Sequence, residues 1–175
     1  MSFGQTDEEE NSQKATRGGD GFGLSANYNS TKAKIYGSFL GGASVSSESV
    51  SGFGFGIFVQ GSFSESLKIK TDIVYNTATN DGASSSSILV PGVLKFYTST
   101  GGFNIQAGIM SAFSLEDIDT DIGKKSSISG ALGLGYDADN FLMEARYYPQ
   151  LTNSSNIEGM KIKGITLSFG LSYLF

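Results

Sequence analysis

Residues 164–175, GITLSFGLSYLF, divide into two lists when every second position is taken. Ile165, Leu167, Phe169, Leu171, Tyr173 and Phe175 fall on one side; Gly164, Thr166, Ser168, Gly170 and Ser172 fall on the other. A period of two is a β-strand whose side chains point alternately to opposite faces. In a soluble sheet the apolar face would meet a core. In a transmembrane barrel it would meet lipid, with the small polar face turned to the lumen. The stretch by itself fits both, so the rest of the chain decides.

Working back from it, period-two segments separated by turn signals predict strands at 33–44, 51–61, 66–76, 87–97, 102–113, 126–136, 140–149 and 162–175. Most have about the 9–11 residues a tilted strand needs to cross a bilayer. GFGLSANYN (21–29) also alternates and is read as part of a lead-in segment, 21–32, because eight strands return both termini to one side. From the second connection on, short links (SFSES, TSTG, DAD) take turns with long polar ones (TATNDGASSS, SLEDIDTDIGKKS, QLTNSSNIEGMK). Short periplasmic turns and longer extracellular loops give a membrane barrel this pattern. A soluble sandwich has no reason to segregate its loop lengths.

Parity supplies the decisive contrast. The outward list holds Phe53, Phe55, Ile57, Val59, Leu67, Ile69, Ile73, Tyr75, Val90, Leu94, Phe96, Phe103, Ile105, Ile109, Phe113, Ile128, Leu132, Leu134, Tyr136, Phe141, Met143, Tyr147 and the 165–175 set. The inward list holds Gln60, Lys70, Asp72, Lys95, Asn104, Gln106, Glu144 and Arg146, among many Gly and Ser. A soluble barrel would place charges outside and apolar residues inside. Lys163 is an exception on the outward parity, at a strand end where its stem can snorkel toward headgroups. Threaded up and down, Phe96, Phe103, Tyr136, Phe141, Tyr173 and Phe175 gather at the turn side. Phe53, Tyr75, Phe113 and Tyr147 gather at the loop side. Two aromatic girdles are what a bilayer selects for. The predicted fold is therefore all-β: an eight-stranded antiparallel up-and-down transmembrane β-barrel over 33–175, with termini in the periplasm.

Composition narrows the function classes. The chain has 175 residues, 24 of them Gly and 2 Pro, which suits tightly packed strands better than helices. No apolar run approaches the length of a membrane helix. A net charge of −5 argues against nucleic acid, whose phosphates need a basic surface. With no Cys and no His, disulfides, thiol nucleophiles and a Ser–His–Asp triad are excluded, along with the commonest metal ligand. Residues 1–20 are polar and charged, and are read as a flexible tail, with SFGQ the stub of a signal peptide behind the first Met.

The motif EARYYPQLTN (144–153) resembles the penultimate strand of the PorT-like "outer membrane protein beta-barrel" family, an Ala-Arg-Tyr followed by Leu-Thr-Asn. LVPGVLKFY (89–97) is similar to that family's Ile-Pro-Leu-Leu-x-Lys-Tyr-Tyr strand, with Gly92 in place of Leu; Gln150 replaces a usual Gly. The resemblance spans about 33 to 175. It implies a Gram-negative outer-membrane location and outer-membrane lipid around the barrel. It also implies Tyr173 and Phe175 as a signal read by the barrel assembly machinery, and a membrane protein complex as a partner. One family member serves a secretion system, and most have no assigned activity.

Lys70, Asp72, Lys95, Glu144 and Arg146 are read as a salt-bridged lumen plug rather than a transport pathway, because eight strands leave an interior just wide enough for side chains. Asp117, Asp119 and Asp121 alternate like the first ligands of a calcium loop. The pattern then fails, with Ile122 at position six and Ile128 at position twelve, so a solvated acidic loop is expected and no cofactor or metal is assigned. GFGFG (52–56) and the Gly133/Gly135 pair lack the spacing of phosphate cradles and read as small inward residues. Pro91 lacks a ladder donor, so a bulge or strand end is expected there. The leading expectation is a non-enzymatic outer-membrane barrel acting as a structural or interaction component. Its rivals are a small lipid-modifying enzyme and a soluble barrel holding an apolar ligand.

Overall fold

The computed structural model describes residues 19–39, 42–80, 83–98, 101–116, 124–155 and 160–175. Eight strands run β1 (Gly21–Phe39), β2 (Gly42–Ser64), β3 (Leu67–Asn80), β4 (Ala83–Tyr97), β5 (Phe103–Ser114), β6 (Ser126–Ala138), β7 (Phe141–Pro149) and β8 (Met160–Leu174). Each pairs antiparallel with its sequence neighbours, and β1 pairs β8, so the sheet closes without an edge. The start of β1 at Gly21 and the end of β8 lie together at the turn side.

The first strand corrects the sequence reading. The segment taken as a lead-in, 21–32, is the body of β1. It pairs from Gly21↔Gln60 to Phe39↔Gly42 with β2 and from Gly23↔Leu174 to Gly37↔Met160 with β8. The segment expected as the first strand, 33–44, holds the end of β1 and the start of β2. SSESV (46–50) and most of TATNDGASSS are also strand: β3 and β4 pair up to Asn80↔Ala83. These extensions lie beyond the loop-side girdle, outside the hydrocarbon, where apolar alternation is not required. Asp117, Asp119 and Asp121, expected as a solvated acidic loop, lie outside the described residues.

The outward list is outside. Phe55 is 67% exposed, Leu132 57% and Phe175 61%, while Lys95 and Asn104 are fully buried. Aromatic rings knit the seam where the barrel closes. Phe141 packs edge-on against Tyr173 at 5.1 Å, Tyr173 against Phe175 at 5.5 Å, and Phe175 against Phe22 of β1 at 5.6 Å. The Phe175 backbone N–H also donates to the Phe22 carbonyl at 3.0 Å. Pro91 neither bulges nor ends β4. It pairs Met110 on the β5 side, while on the β3 side the ladder simply lapses between Thr71↔Gly92 and Val74↔Leu89, leaving the register unchanged. The one register shift on β2–β3 lies instead at Ser62/Ser64. At the turn joining β6 and β7, Asp139 takes φ 50°, a left-handed conformation that Asp tolerates in a tight turn.

Candidate functional site

Inward positions follow from the same alternation, so each strand contributes every second residue to one column through the barrel. Along β7 from the turn side these are Leu142, Glu144, Arg146 and Tyr148, all buried. Along β3 they are Lys68, Lys70, Asp72, Val74 and Asn76, also buried. The five residues singled out in the sequence come together in one cluster. Lys70 Nζ donates to Glu144 Oε2 at 2.7 Å and to Ser172 Oγ at 3.2 Å, lies 3.0 Å from Asp72 Oδ1, and sits 4.4 Å from the Phe58 ring centre. Arg146 Nη1 reaches Asp72 Oδ2 at 3.4 Å, and Nε donates to Gln106 Oε1 at 2.7 Å. Arg146 Nη2 stands 2.8 Å from Glu144 Oε1, close enough for strong attraction although its N–H is not aligned as a hydrogen bond.

The missing member is Asp137. Lys95 Nζ donates to both its carboxylate oxygens, at 2.8 and 2.7 Å, and to Gln60 Oε1 at 3.0 Å. Tyr97 donates its hydroxyl to Asp137 Oδ2 at 2.6 Å, and Asn104 Nδ2 donates to Oδ1 at 3.1 Å. The sequence pattern places Asp137 in the DAD turn (137–139). Continuing the inward parity of β6 one step past Gly135 would have found it. Gln106 links the two halves, donating to Asn104 Oδ1 at 2.9 Å and Glu144 Oε1 at 3.1 Å. The cluster thus holds three cations (Lys70, Lys95, Arg146) and three carboxylates (Asp72, Asp137, Glu144), and is neutral as a whole. Lys68 and Tyr97, also unread in the sequence, lie on the turn side of it.

Space for the network is made by glycine. A Cβ on Gly135 would fall 2.5 Å from Gln106 Nε2 and 2.7 Å from Asn104 Oδ1. Apolar groups close the column at either end, Phe58, Leu142 and Leu174 toward the turns and Val93, Met110, Ala131 and Tyr148 toward the loops. Beside Asp72, Glu144 and Arg146 the remaining void is only about 20 Å³, room for about one water molecule. Above Tyr148 the lumen widens into a vestibule of about 290 Å³ lined by neutral groups such as Asn29, Asn76, Ser87, Ser127 and Thr166. Among the described residues no group of His, Cys, Asp or Glu could hold a metal. The middle of this interior is occupied by six acidic and basic side chains, not the apolar lining that a barrel for an apolar ligand needs.

Lipid-facing exterior, closed eight-stranded sheet and charged interior together define a membrane-type β-barrel. Comparison with solved structures agrees on the fold. Over 87% of this chain and 97% of the other, the barrel is similar to Neisserial surface protein A, with a TM-score of 0.50 and 15% identity. The outer membrane protein OprG from Pseudomonas aeruginosa aligns over 91% of this chain and 98% of its own, at 11% identity and a TM-score of 0.45. No protein-family model matches the sequence, and comparison with curated proteins finds no relative.

Proposed function

We propose that this protein is a sealed, non-enzymatic barrel of the Gram-negative outer membrane, with its termini in the periplasm and its loop rim facing outward. It acts there as a structural or interaction component, as an accessory to a larger membrane assembly of the kind the PorT-like resemblance implies. The observation that carries this reading is the neutral six-charge cluster spanning the lumen, with a residual void of about 20 Å³. An ion would have to displace side chains that hold each other in a low-dielectric interior, where breaking one pair leaves a costly orphan charge. The three buried lumen carboxylates among the described residues, Asp72, Asp137 and Glu144, are committed to those pairs, which supports the non-enzymatic reading. Planar-bilayer recording tests it. The wild-type protein should insert without steady single-channel current, and sustained conductance would overturn the sealed reading. Lipid hydrolysis or acyl transfer by the purified barrel in detergent micelles would overturn the non-enzymatic one.

A further inference from the structure

The lipid-facing parity is interrupted at one place by cations. Lys32 and Lys34 on β1 and Lys161 and Lys163 on β8 occupy outward positions and are exposed. Register brings them together across the seam that closes the barrel. Lys34 is directly opposite Lys163, Lys32 is opposite Ile165, and Lys161 is opposite Tyr36. Like charges directly opposite on antiparallel strands repel, so the barrel gains nothing from this arrangement by itself. None of the four has an ion-pair partner among the described residues. On β2 the register sets Ser49 opposite Lys32 and Ser47 opposite Lys34, so neither directly paired residue is an acid.

Their height is informative. Tyr28, whose ring packs on Phe53 at 5.3 Å, marks the loop-side girdle on β1. Lys32 lies four residues farther along, about 13 Å of strand, or about 10 Å of height once the strand's tilt is allowed for. Ile165, opposite it, is the last apolar outward residue before Lys163 on β8. Lys32 therefore stands nearest the hydrocarbon, with Lys34 and Lys163 about 5 Å and Lys161 about 10 Å farther out, and long lysine stems can bring their charged ends down to headgroup phosphates.

We propose that Lys32, Lys34, Lys161 and Lys163 form a docking surface for lipid headgroups whose phosphates carry uncompensated negative charge, clamping such a lipid across the β1–β8 seam. This inference rests on the membrane reading above. Phosphate between Lys34 and Lys163 turns a repulsive cross-strand pair into a bridged one, so the bound lipid tightens the closure of the barrel.

The test folds the full chain into vesicles of phosphatidylcholine alone, and of phosphatidylcholine doped with a bis-phosphorylated glycolipid. Preference for the labelled phosphorylated lipid is read by fluorescence quenching at the protein surface. Wild type should prefer it, and the preference should weaken with salt. The quadruple variant Lys32→Gln, Lys34→Gln, Lys161→Gln and Lys163→Gln should lose about tenfold or more of it, while Lys124→Gln keeps it. If the quadruple variant does not fold, Lys34→Gln with Lys163→Gln carries the same comparison. Equal preference in wild type and variant overturns the proposal, as does inorganic phosphate displacing the lipid at equal concentration, which would mark a site for free anions. Insertion into both vesicles with no preference removes the docking surface and leaves the membrane reading standing. Failure to enter either vesicle removes both.

Discussion

At the scale of single residues, Lys95 is the most committed group in the barrel: fully buried, bound to both oxygens of Asp137 and to Gln60. Lys95→Met should therefore cost about 3–5 kcal/mol, because Asp137 is left charged in the dark of the lumen with only Tyr97 and Asn104 to satisfy it. Lys95→Met combined with Asp137→Leu should recover most of that loss, since removing both charges removes the orphan. Urea unfolding in lipid vesicles measures both, and a double variant as unstable as the single would show that packing rather than charge is at stake. The lipid face gives an opposite case. Leu132→Asp should cost about 2 kcal/mol by placing a carboxylate against hydrocarbon. Ser127→Asp, on the same strand but lining the polar vestibule, should cost far less. Equal losses in the same titration would contradict the parity of β6.

At the scale of elements, the seam between β8 and β1 is where the fold is completed. Phe175 contributes there twice, through its ring on Phe22 and Tyr173 and through its backbone bond to Phe22. A chain ending at Leu174 should fold into vesicles in lower yield and melt at lower temperature, as followed by circular dichroism and protease protection. Yield and melting equal to the full chain would show that the seam closes without it. The same element holds a lesson about reading strands. β8 is legible because its outward face is apolar through the membrane. The loop-side halves of β1 and β2 are not, because Ser, Thr and Lys on both faces, as in STKAK (30–34), look like a loop when only hydrophobic alternation is sought. Their strand character comes from pairing with each other and with β8, which no local pattern encodes.

At the scale of the whole molecule, the interior network joins β3, β4, β6 and β7 through side chains, over and above the backbone ladders. Arg146→Ala should accordingly lower the melting temperature by breaking contacts to Asp72, Glu144 and Gln106, while conductance stays absent because Lys70 and Lys95 still fill the lumen. Thermal melts and bilayer recordings on one preparation check both parts. An unchanged melt would mean that the network is hydrated and contributes little to stability.

The inside-out polarity, the girdles and the inward placement of Lys70, Asp72, Lys95, Glu144 and Arg146 were determined by sequence alone, because strand parity carries a side chain to one of two faces and nothing else. Which carboxylate meets which cation was not, since Lys70 and Glu144 are 74 residues apart and pair only when the sheet closes with a particular stagger. Asp137 entered the network for the same reason. Its strand outlasts the apolar pattern by one inward step, and only closure shows what waits for it there. The meeting of Lys34 and Lys163 across the seam is likewise a product of closure. One residue of shift between β1 and β8 would turn both lysines of one strand inward, so the cationic surface exists only at the register the tertiary structure selects.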